Sequence, residues 1–162
     1  MSDQAIDTYL NDHLAGAMFG SDLAEQLRSR SEGTALGELM QAIALEIEED
    51  RQTLIELMER MGISRSAVKQ ATTWIAEKAS RAKFADLTDA ESGLGTFMAF
   101  ETLSLGVEGK LSLWIALREV SDQYPELGSA DLETLIDRAR RQRSDLERER
   151  VTAASQALQR DP

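Results

Sequence analysis

Apolar residues recur along this chain at spacings of three and four, the period of an amphipathic helix, almost from end to end. Ile6, Leu10, His13, Ala17, Ala24 and Leu27 share one face of a helix expected from Gln4 to Arg30, which Glu32-Gly33-Thr34 ends. The pattern returns in Leu36, Met40, Ile43, Ile47, Leu54, Leu57 and Met61, a second helix from Ala35 to Met61. Its stripe skips one position, and Asp50 fills the gap. Gly62 supplies a left-handed cap, and Ser64 can cap a shorter helix running through Val68, Trp74 and Ile75 to Ala82. Thr88-Asp-Ala-Glu91 reads as a capping box for a long helix that continues to Ser121, ahead of Tyr124-Pro125, with Phe100, Leu103, Val107, Trp114 and Leu117 on its stripe. Gly128-Ser129 then punctuates. Ser129 is the expected cap of a last helix, Ala130 to Leu158, which turns Leu132, Leu135, Ile136, Ala139, Leu146 and Ala153 inward.

Two pairs of long helices, each joined by a short loop, are thus separated by a longer connection with a short helix of its own. Short loops make antiparallel neighbours, and the longer connection can carry the chain back so that the second and third long helices run parallel. In these helix and connection lengths the chain resembles the ferritin-like superfamily over nearly all of its length. The resemblance implies an all-α, up-down-down-up four-helix bundle with a crossover helix, one domain over residues 1–162. In its metal-binding members, carboxylates and Glu-x-x-His motifs hold two metals at mid-height.

Counting residues from each loop at about 1.5 Å per residue compares heights along such a bundle. His13 and Asp50 lie equally far from the first short loop and are expected to face each other. The same count places Glu108 and Arg143 at that level, and Glu101 and Glu46 in a second layer. Gly106 and Gly109 flank this part of their helix, where a missing side chain lets a neighbour approach closely. Buried charge is costly unless paired, so the layer has two resolutions. In one, the Arg143 guanidinium occupies a cation's place between Asp50 and Glu108. In the other, Glu46, Glu49, Glu101, Glu108 and His13 form a carboxylate-rich site for iron or manganese. Glu46-Ile-Glu-Glu49 matches the glutamate of the Glu-x-x-His motif but puts Glu49 where histidine belongs; Gln142-Arg-Ser-Asp145 and Asp145-Leu-Glu-Arg148 match neither half. The ion-pair layer is the simpler account.

Composition narrows the function. The chain has 29 acidic against 18 basic residues, a net charge of −11 that repels nucleic acid and anionic membranes. No cysteine is present, which removes disulfides, cysteine-ligated metals and thiol catalysis. The acidic start MSDQAIDTYLND lacks the form of a secretory signal, and a cytoplasmic location is expected. Arg138-Ala-Arg-Arg-Gln-Arg143 is basic, yet Asp137, Asp145, Glu147 and Glu149 interleave with it, as on a solvated helix face carrying pairs such as Asp145 with Arg141. The methionines and Trp114 read as core, whereas Trp74 fits either the bundle or a partner. No phosphate loop, Ser-His-Asp set or nucleophile elbow is present. Leu105, Leu111, Leu113 and Ile115 point away from the main stripe of the Glu91–Ser121 helix and need covering by the crossover helix or by a second copy, most simply a homodimer. The reading is a non-catalytic interaction or structural module whose metal site has become an ionic network. The alternative is a di-metal oxidase or iron-handling protein, and a small polar or cationic ligand in the polar layer is a third possibility.

Overall fold

A computed structural model describes residues 2–65 and 93–159. Within them the chain is all-α: α1 (Ser2–Arg30), α2 (Ala35–Arg60), α3 (Leu94–Glu119), a 3-10 turn (Pro125–Ser129) and α4 (Leu132–Ala157). The expected crossover helix with Trp74, and the Thr88–Glu91 capping box, lie outside the described residues.

Local chemistry sets each boundary. Thr34 caps α2, its hydroxyl accepting from the Gly37 N–H at 3.1 Å. Gly37 has to be glycine, because a Cβ there would sit 2.2 Å from the Ser31 carbonyl oxygen, where the loop from α1 folds back. At the far end of α2, Gly62 adopts φ +69° while Gly62 N–H donates to Glu59 O and Ile63 N–H to Met58 O, the paired bonds of a Schellman cap. The start of α4 differs from the expected Ser129 cap. Ser129 closes the 3-10 turn by donating to Glu126 O, and Asp131 caps α4 by accepting from the Thr134 N–H and hydroxyl. Those bonds favour the ionised carboxyl, so Asp131 is held below its ordinary pKa.

The core follows the stripes. Leu10, Met40, Met58, Phe100, Trp114 and Ile136 are each at most 1% exposed. α1 packs against α2 and α3, and α3 against α4. α2 and α4 meet through long side chains, Glu46 with Gln142 and Asp50 with Arg138. Numbers rise along α2 as they fall along α4, so these two helices run antiparallel. Asn11 ties α1 to the end of α2, its Nδ2 donating to Ser64 O at 3.1 Å as well as to Asp7 O. On α3, Leu111 and Leu113 are buried and Ile115 half-buried within the chain itself, whereas Leu105 is exposed. No helix among the described residues is long and apolar enough to cross a membrane.

Candidate functional site

Three stripes carry a polar residue where an apolar one would fit: Asp50 after Ile47, Lys110 after Val107, and Gln142 after Ala139. The bundle brings them together. Lys110 Nζ donates to Asp50 Oδ2 and to Gln142 Oε1, each at 2.5 Å. Arg138 Nη1 reaches the other Asp50 oxygen at 3.0 Å and Glu49 Oε2 at 3.1 Å. Gln142 Nε2 donates to Glu46 Oε2 at 2.9 Å, and Arg141 Nη2 to Glu46 Oε1 at 2.5 Å. The chain of bonds therefore runs from buried Asp50 and Gln142, through Lys110, to half-buried Glu46 and the arginines at the surface. Asp50 is 1% and Lys110 14% exposed. Burial pushes the Lys110 amine below the ordinary lysine pKa, while the Asp50 carboxylate opposes that shift by favouring the charged form.

Of the residues expected in the core layer, Asp50 and Glu46 belong to this network. Glu101, Glu108 and Arg143 do not, and their placement is a correction. Arg143 Nη1 donates to Glu108 Oε2 at 2.7 Å, but the two side chains are 55% and 50% exposed, on the outer seam between α3 and α4. Glu101 pairs with Arg150 on the same seam at 3.2 Å. The cause is angular. Each residue turns a helix by about 100°, so Glu108 lies at nearly the right height yet about 200° round from Lys110. Arg143 is about 100° round from Gln142. Arg141, expected to pair with Asp145 along its own helix, reaches across to Glu46 instead, and Arg148 takes Asp145.

His13 is half-buried at the edge of the α1 stripe, since Leu14 rather than His13 points inward. Its ring meets Tyr9 edge-on with centroids 4.5 Å apart. Burial lowers its pKa below the ordinary value, and neighbouring Asp12 partly offsets this. His13 and Asp50 both line a cavity of about 290 Å³ between α1, α2 and α3, together with Lys110 and Trp114. Gly106 and Gly109 line it as well, and a Cβ at either would meet nothing within 4 Å. These glycines hold space open, which corrects the expectation that they admit a crowded neighbour.

The donors named for a metal centre do not fit one. Glu101 and Glu108 face the outer seam, Glu49 and Glu46 are engaged by arginines, and both oxygens of Asp50 are bound by cationic side chains. Among the described residues no three carboxylate or imidazole groups gather as metal ligands. Comparison with family models, with curated proteins and with solved structures finds no match for this chain.

Proposed function

We propose that the protein is a non-catalytic, ferritin-like bundle of up-down-down-up topology, an interaction or structural module in which a side-chain cation stands where metal-binding relatives of that fold hold metal. The observation that carries this reading is the Lys110 ammonium between Asp50 and Gln142, with Arg138 on the remaining Asp50 oxygen. A cation held covalently by the chain needs no metal to neutralise a buried carboxylate. The antiparallel course of α2 and α4 supports the topology. The absence of cysteine suits a reducing, cytoplasmic compartment. Met98 and Leu105 leave apolar surface on α3, which supports a homodimer through that helix.

The test is metal analysis of protein purified without chelators, followed by thermal melts with Fe(II) and Mn(II). Sub-stoichiometric metal and an unchanged midpoint are expected. Near-stoichiometric metal with a raised midpoint would overturn the reading and favour the di-metal alternative. Light scattering on the same sample measures the dimer.

A further inference from the structure

The cavity between α1, α2 and α3 is built at the expense of helix stability. Gly16, Gly20, Gly106 and Gly109 all line it from helix interiors, where glycine is among the least favourable residues. None is needed for close packing, because a Cβ at any of the four would meet nothing within 4 Å. Open volume kept by four residues that alanine would better on propensity points to something that occupies it.

A second observation concerns hydrogen bonds. Trp114 also lines the cavity and is 1% exposed, and its buried indole Nε1–H has no acceptor among the described residues. Buried donors without partners are rare, because each forfeits its bond to water. One turn earlier on the same face of α3, Lys110 has given two of its three ammonium hydrogens to Asp50 and Gln142. One donor remains on each side chain. The charges around the cavity balance, Asp12 and Asp50 against Arg51 and Lys110, and both Asp50 oxygens are already taken. This environment favours neither a cation nor a free anion. The cavity opens to solvent beside Gly16 and Gly106, and its volume is about twice that of an enclosed apolar cavity that accepts benzene, so a two-ring molecule fits.

We propose that this cavity binds a neutral, largely apolar small molecule carrying one hydrogen-bond-accepting oxygen, which takes the spare donors of Lys110 and Trp114. The inference rests on the cavity and is independent of the ferritin-like reading.

The test titrates the full chain with 2-naphthol and with naphthalene by calorimetry. Saturable one-to-one binding of 2-naphthol is expected, at least about ten-fold tighter than that of naphthalene, because its oxygen takes one neutral and one charge-assisted hydrogen bond. In the nitrogen–proton spectrum, the Trp114 indole resonance, assigned with Trp74→Phe, shifts on saturation. Gly109→Leu fills the cavity, and it is expected to abolish binding without lowering the thermal midpoint. Asp50→Leu with Lys110→Met removes the donor together with the carboxylate that it would strand, leaves the apolar walls, and is expected to erase most of the preference for 2-naphthol over naphthalene. No saturable binding to the unaltered chain, or equal binding to the Gly109→Leu protein, overturns the proposal. So does a Trp114 resonance that stays fixed at saturation.

Discussion

Two sets of ion pairs lie at neighbouring heights in this bundle and share their chemistry, yet they occupy different solvents. Asp50 with Lys110 and Arg138 is buried between helices; Glu108 with Arg143 and Glu101 with Arg150 line the wet seam between α3 and α4. In water, the attraction of a pair is offset by screening and by the entropy of fixing two long side chains. In the interior both partners have already lost their hydration, so removing one leaves the other stranded. Burial, not the number of pairs, decides which charges matter.

The largest expected effect therefore comes from Asp50→Ala. Lys110 would keep only the Gln142 carbonyl, and Arg138 only the exposed Glu49. Urea denaturation should show a loss of about 3–5 kcal/mol, the usual result of breaking a buried pair from one side. Replacing both partners sharpens the point. Asp50→Leu with Lys110→Met removes the stranded charge, and because Arg138 keeps Glu49 and Gln142 keeps Glu46, the double variant should fall within about 1 kcal/mol of the unaltered chain. A double variant as unstable as Asp50→Ala would show that the network matters for something other than its charge.

His13 is an intermediate case, half-buried and unlike either set. Its folded pKa is depressed by burial, from an ordinary value of 6.5. As pH falls through that value, the unfolded chain takes up a proton that the folded chain resists, so stability declines with falling pH. Asp12, Asp50, Lys110 and Arg51 share the cavity with it. Stability measured at pH 7.5 and at pH 5.5 should fall in the unaltered chain and fall less in His13→Gln. Equal slopes would place the imidazole in full contact with water.

The helices and most of the core were legible because period and caps are local properties. Gly62, the apolar stripe of α2 and the inward face of α4 all appear where periodicity puts them. The site was legible only in part. Axial height can be counted from a loop with little loss, since an error of two residues displaces a side chain by about 3 Å. The same error turns it by about 200°, from the core to the solvent, and this separates Lys110 from Glu108. A usable signal was present. Asp50 interrupts an apolar stripe, and the same test applied to α3 and α4 selects Lys110 and Gln142 directly. Asp131 takes the cap position from Ser129 because Pro125 opens a 3-10 turn that uses Ser129 itself, a competition that the residues 125–131 do not resolve locally. Asn11 is beyond any local pattern, since its partner Ser64 lies 53 residues further along the chain, past the end of α2.

The smallest expected effect makes the sharpest use of the comparison. Were Glu108 the buried partner of Arg143, as the height count alone suggests, Glu108→Gln would strand a guanidinium and cost several kcal/mol. With both side chains about half exposed, the variant exchanges a screened attraction for a neutral hydrogen bond, and water hydrates whatever Arg143 loses. Glu108→Gln should therefore change the unfolding free energy by no more than about 0.5 kcal/mol, and a cycle with Arg143→Gln should give a coupling of about the same size. Raising the salt from 0.05 to 0.5 M should shrink that coupling further, because exposed pairs are screened over roughly 10 Å at 0.1 M. The Asp50–Lys110 coupling, sheltered from counterions, should change little over the same range. If the two couplings respond alike to salt, the seam and the core share one dielectric environment, and the division on which the site assignment depends disappears.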